Sequence, residues 1–240
     1  MKTKTFIALL ISIILMAGSA QEKKIAVISI FFDKNISGTL TEDMINDISK
    51  DKNFDFVKLA NDFRTKLFEK YLPSLGIVTI DEKSVIGNAE YKMIKSGSKS
   101  IWDVRMQTPE GYKFIDSRPL MKDDEIIKKT FAIFPEVSAV MICYVDFNMG
   151  TSTGGSVVGA NKIMAYANFK ILDRNAKNVV TIREYAQSKG FMVNALGGSV
   201  YNPEKLAELS NEALEALYRD LDKKLIKNKE KVQKKLSEMK

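Results

Sequence analysis

The sequence predicts an α/β (α+β) fold: a two-layer mixed sheet with helices mainly on one face and a long carboxyl-terminal amphipathic helix. Three observations predict it. An apolar, β-branched run at 24–32 (KIAVISIFF) is followed by helical periodicities, the pattern of a βα unit with a parallel crossover. Three long strand-like runs at 137–147, 163–172 and 179–186 come next, the last two divided by the polar stretch 173–178. The chain then enters a helix whose apolar stripe is Leu206, Leu209, Ala213, Leu217, Leu221 and Leu225.

Taken in order, 24–32 has the length and apolarity of a buried strand. Thr39 and Glu42 have capping-box spacing, which predicts a short helix over 42–49. Asp55 caps a stronger helix with the stripe Val57, Ala60, Phe63, Leu67 and Tyr71, stopped by Pro73 and Gly76. A short strand at 77–80 follows. Asp81 then opens a helix through Ile94, with Val85, Ile86, Ala89 and Met93 inward. Trp102, Val104 and Met106 alternate, Pro109-Glu110-Gly111 turn the chain, and Tyr112 and Phe114 alternate again, a hairpin pattern. A helix over 123–134 presents Ile126, Ile127, Phe131 and Phe134. The polar stretch 173–178 makes the strands on either side of it an antiparallel pair. Asn202 and Pro203 supply a cap and a first-turn proline for the closing helix.

The first residues read as an export leader. Lys2 and Lys4 are followed by an apolar run, 6–16, and by Ala17-Gly18-Ser19-Ala20, whose small side chains suit cleavage before Gln21. The uncharged stretch 5–21 falls short of the roughly 20 apolar residues that span a bilayer. The expected organisation is a signal peptide over 1–20 and one α/β domain over 21–240 ending in a basic helical tail, exported to the periplasm or secreted. With Gln21 at the cleavage point there is no cysteine to carry a lipid.

Composition excludes several chemistries. Apolar content of 45% and charged content of 28% are globular values. The chain has no histidine, so it holds no Ser-His-Asp triad, no Cys-His pair and no histidine metal ligand. The one cysteine, Cys143, leaves no intramolecular disulfide and no thiolate cage, and its apolar surroundings read as a buried strand. No catalytic residue, cofactor or metal is expected.

The conspicuous glycine-rich segment is Gly150, Thr151, Ser152, Thr153, Gly154, Gly155, Ser156, Val157, Val158, Gly159. A phosphate loop requires Lys after its last glycine and a following helix, but Ser156 follows Gly155 and two strands flank the segment. It is expected to be a flexible hairpin loop and a partner contact, since exposed loops carry function. Asp33, Asn35, Ser37 and Gly38 resemble the first half of a calcium loop, yet Met44 holds the position of the bidentate glutamate, so a plain connection is expected. Asp123, Asp124 and Glu125 are favoured by the dipole of the helix they open; the alternative is carboxylate chemistry on a wall glycan. Trp102, Arg105, Tyr112 and Arg118 either line a ligand groove or belong to a hairpin packed on the core. From Lys223 to Lys240 there are eight lysines and two acids, a solvated helix end or a peripheral contact with anionic lipid. Nucleic acid is not an expected partner, because no matched basic and aromatic surface accompanies the tail.

The element order, with the IAVISIFF strand, the VSAVMICYVDF strand, the ANFKILDRNAKNVVTIREY hairpin and the closing helix, resembles a group of bacterial envelope proteins. These are the TolB amino-terminal domain, the curli-type secretion channel subunit and the outer-membrane activator of a peptidoglycan synthase. The last two are lipid-anchored, and Gln21 departs from that. The resemblance implies a non-catalytic module that binds another envelope protein or assembles with its own copies. The alternatives are a carboxylate-dependent hydrolase of a cell-wall glycan and a small-ligand carrier.

Overall fold

The computed structural model describes residues 23–36, 42–51, 54–95, 105–118, 122–153, 158–195, 198–199 and 202–239. The leader, the Thr39 cap, Trp102 and Val104 lie outside them.

The first strand, β1 (Ile25–Asp33), is buried along its whole length. A run that apolar can be satisfied only in the middle of a sheet covered on both faces. It pairs parallel with β3 (Ala139–Thr153) and antiparallel with the two-residue β2 (Met106–Gln107). β3 and β4 (Val158–Leu172) form a long antiparallel hairpin, and β5 (Asn178–Gln187) returns along β4. The sheet runs β2-β1-β3-β4 and continues through β6 (Met192–Ala195) to β7 (Gly198–Ser199), with β5 also on β4. The expected mixed sheet with a parallel crossover is therefore present, as is the antiparallel pair around the polar turn. In that turn the Asp173 carboxylate accepts from the amides of Asn175 and Lys177, both at 2.8 Å.

β5 and β6 share one edge of β4, broken by a bulge. Residues 188–191 oppose only 162–163. The amides this leaves over are satisfied locally. Ile163 N–H donates to Ser188 Oγ at 3.1 Å, and Glu212 accepts from the amides of Lys189 and Gly190 at 3.0 and 2.9 Å. These contacts pair the amides of Ile163, Lys189 and Gly190 across the break.

One sheet face carries Met141, Cys143, Val145, Ala165, Ala167, Phe169, Val180 and Ile182 and packs against the larger helices. These are α1 (Glu42–Ser49), α2 (Phe56–Lys66) and α7 (Pro203–Ser237). α2 continues through a π-helical turn, Leu67–Tyr71, into α3 (Leu72–Leu75). Asp55 caps α2 as expected, accepting from Val57 N and Lys58 N, but Phe56 replaces Val57 on the buried face. Pro73 does not stop this helix. The π turn passes the Leu72 amide to Leu67 O, five residues back, and Pro73, which has no N–H to donate, falls in the first turn of α3. Termination falls to Gly76, whose φ of 67° is left-handed.

The second face carries Val140, Ile142 and Tyr144 and is covered at one end by α4 (Glu82–Ile86), α5 (Ala89–Lys92) and α6 (Asp124–Ile133). The single helix expected from Asp81 to Ile94 is two, divided at Gly87 and recapped by Asn88. The break turns Tyr91 and Ile94 inward and leaves Ala89 and Met93 exposed.

The expected hairpin around Pro109 is also absent. Residues 112–117 form no strand, and side chains supply partners for the amides of Lys113 and Ile115. Lys113 N–H donates to Tyr91 Oη at 3.0 Å, Ile115 N–H donates to Ser29 Oγ at 3.1 Å, and that hydroxyl donates to Lys113 O at 2.9 Å. A register shift in β1 between Val27 and Ser29 accompanies this polar insertion.

Candidate functional site

The second sheet face is uncovered beyond Tyr144, and charged and aromatic side chains gather there. Asp33 ends β1 with its side chain 3% exposed. Arg105, one residue before β2, holds both carboxylate oxygens in a bidentate contact. Arg118 Nη1 donates to Asp33 Oδ2 at 2.9 Å, and its Nε and Nη2 donate to Asp116 Oδ2 at 2.9 and 2.6 Å. The Asn35 amide completes the shell of Asp33 at 3.0 Å. Burial works against the Arg118 charge, but the neighbouring Asp116 and Asp33 carboxylates outweigh it and raise the guanidinium pKa.

Strand alternation extends the cluster across the hairpin. Asp146 of β3 accepts from Asn168 Nδ2 of β4 at 3.2 Å and lies 3.5 Å from Arg183 Nη2 of β5. Burial raises the Asp146 pKa, with Arg183 opposing and the Asp33 charge reinforcing the shift. Lys170 donates to Ser117 O at 2.9 Å, and burial lowers its pKa. Phe31 and Tyr144 stack at 4.9 Å beneath, with the Arg118 guanidinium 5.6 Å from the Phe31 ring. Farther out, Tyr166 and Tyr185 lie 5.6 Å apart, and the Arg183 guanidinium is 4.0 Å from the Tyr166 ring centroid. Tyr185 is 55% exposed and the Arg183 side chain 51%. The face thus grades from a buried ionic cluster to an open aromatic and cationic surface.

The glycine-rich segment is mostly strand. Gly150, Thr151 and Thr153 pair across the hairpin with Lys162, Asn161 and Ala160, Ser152 lies within β3, and Gly159 pairs with Asn194. Strand pairing extends further toward the hairpin tip than the glycines suggest. A Cβ at Gly150 would come within 2.9 Å of Met164 Cε, so the glycine admits that side chain. Gly154, Gly155 and Ser156 lie outside the described residues.

Of the residues read as a ligand groove, Arg105 and Arg118 do converge, on Asp33. Tyr112 does not join them. Its hydroxyl donates to Glu82 Oε1 at 2.9 Å, and Glu82 also accepts from Arg64 Nε and Nη2 at 2.6 and 2.9 Å. In the acidic triplet, Asp123 accepts from the Asp116 amide at 2.8 Å, Asp124 pairs with Lys122, and the Glu125 side chain is 89% exposed beside Lys128. Cys143 is buried, and burial pushes its thiol pKa up. No group of three or more metal-ligating side chains occurs among the described residues.

Sequence reasoning missed Asp116, Asp146, Asn168 and Arg183, and read Asp33 only as half of a calcium loop. The available signal was alternation. Along β4 the apolar positions Ala165, Ala167 and Phe169 alternate with Tyr166, Asn168 and Lys170, marking a second face that is not plain core.

No family model and no curated protein matches the sequence. Among solved structures, a lipoprotein from Neisseria meningitidis aligns at 14% identity and a TM-score of 0.31, over 82% of this chain and 99% of its own. A hypothetical protein from Chlamydia trachomatis aligns at 9% identity and 0.32, over 86% and 95%. A putative neuraminyllactose-binding hemagglutinin homolog from Helicobacter pylori aligns at 10% identity and 0.28, over 88% and 92%. These likenesses are weak and do not single out the TolB, curli-channel or synthase-activator families. No helix among the described residues is long and apolar enough to cross a membrane.

Proposed function

We propose that the protein is an exported, non-catalytic module that recognises another envelope protein through the open face of β3, β4 and β5. The observation that carries this reading is the group Tyr166, Arg183 and Tyr185. Tyrosine and arginine dominate the energetics of protein interfaces, since each adds a large rigid contact area with a polar tip. Here they stand together on a sheet, with Tyr185 and Arg183 each about half exposed. The Asp33–Arg118 cluster holds the adjoining backbone, so the surface is pre-organised before it meets a partner.

The test is site-specific photocrosslinking in the intact envelope. A crosslinker at position 185 should give one adduct of defined mass, lost when Arg183 is replaced by alanine. A crosslinker at Lys129, on the exposed side of α6, should not give that adduct. The same products from both positions, or none from 185, would refute the reading.

A further inference from the structure

α7 is electrically divided. Between α7 and the α1–α2 side lie two adjoining hollows of about 700 and 490 Å³ that share Asn211 and Glu215. Together they are lined by seven carboxylates and three lysines, with Leu59 and Ala207 supplying apolar lining. Glu208 and Glu215 are exposed at this groove. Tyr218 also lines it, and its hydroxyl is shielded from solvent with no hydrogen-bond partner among the described residues.

The far half of the same helix has the opposite character. Its inner stripe continues through Leu225, Val232 and Leu236, all buried. Its outer surface exposes Lys227, Lys231 and Lys234, which make no ion pair with the described residues, and Ile226 is 59% exposed beside them. Glu230 is exposed among them, so this face carries three lysines against one carboxylate beside an apolar side chain, the opposite balance to a groove of seven carboxylates and three lysines with apolar lining.

The geometry points to a second copy of this chain as the occupant: the lysine face of one α7 docks in the acidic groove beside the α7 of the next. The helix is unbroken over 35 residues. At 1.5 Å per residue, Glu208 and Lys231 are about 35 Å apart along it, so the tail cannot fold back into its own groove. The contact joins two different surfaces, and repeated head-to-tail it leaves one free groove and one free tail at the ends of a chain of copies. It uses none of the residues of the sheet face and does not depend on that reading.

Sedimentation velocity on the full chain tests it. At low salt the mass should rise with concentration, and apparent affinity should fall on the order of tenfold or more as the salt is raised through the range that screens exposed charges. Glu208→Lys with Glu215→Lys, a groove variant, should be monomeric. So should Lys227→Glu with Lys231→Glu and Lys234→Glu, a tail variant. Mixed in equal amounts, the two should associate again, because the intact tail of one meets the intact groove of the other; this also shows that both are folded. Monomeric wild-type protein at all concentrations, or variants that associate like wild type, would overturn the proposal. It would be overturned equally if the wild type stays monomeric and the tail variant alone loses binding to phosphatidylglycerol vesicles, which would assign the lysines to a lipid surface.

Discussion

Arg118 and Asp33 are 85 positions apart in sequence and meet at 2.9 Å beneath the sheet face, where the guanidinium bridges Asp33 to Asp116. The bridge fastens the connection after β2 to the end of β1. With the Asp33 side chain 3% exposed, removing its charge takes a shared carboxylate from Arg105 and Arg118 and leaves Asp116 alone to face the Arg118 guanidinium. Asp33→Asn should lower stability by about 3 kcal/mol, read by urea unfolding. A loss below about 1 kcal/mol would show that the cluster relaxes toward solvent.

Asp146 gives the fold a pH dependence of defined sign. Its folded pKa is raised above the ordinary 3.8, chiefly by burial, so the folded state holds the proton more tightly than the unfolded chain. Stability from this group is greatest below the unfolded value and falls as pH rises through the window up to the folded value. Asp146→Asn removes that penalty, and the half-exposed Arg183 loses little with it. The variant's advantage over the parent should be largest above the window and vanish below it, measured by unfolding from pH 3 to 7. A constant difference across that range would contradict the assignment.

Cys143 is shielded by burial in β3 and by a thiol pKa raised through loss of solvent. Iodoacetamide at pH 8 should leave the folded protein unmodified for hours and label it fully in denaturant. Stoichiometric labelling without denaturant would mean that β3 opens under native conditions.

The carboxyl-terminal turns of α7 belong to the core. Gln233 Nε2 donates to Leu75 O and Gly76 O at 3.1 and 2.6 Å, and Leu236 is buried. Leu236→Ala should cost about 2 kcal/mol by urea unfolding, near the low end for a buried leucine. No loss would make this stretch the solvated end that its lysines suggest.

That last point shows what sequence could reveal. The stripe through Leu225 was legible because leucines recur at helical spacing. Its continuation at Val232 and Leu236 was masked by the lysines between them, although the spacing holds. Strands β1, β3, β4 and β5 were legible because burial of one or both faces dictates their patterns. The hairpin expected around Pro109 failed because alternation in Trp102, Val104 and Met106 carries no information about which strand receives it, and Met106 pairs with β1. The ionic cluster was opaque for a related reason. Asp33, Arg105, Asp116 and Arg118 meet through tertiary geometry, and no spacing rule links a strand end to residues 72 to 85 positions later. The acidic groove likewise needs α7 laid across α2 before its charges share a space.

The position of α7 in the chain has a consequence in time. It supplies Leu206, Leu209, Ala213, Leu214, Leu217, Leu221 and Leu225 to the core over β4 and β5. β1 must likewise wait for β3, more than a hundred residues later, before it gains its parallel neighbour. A polypeptide emerging from its amino end therefore carries bare apolar strands through most of its synthesis, and the interior closes only when the last helix arrives. Until α7 is made, the face of β4 and β5 that it packs against has no cover, and the core over it cannot close.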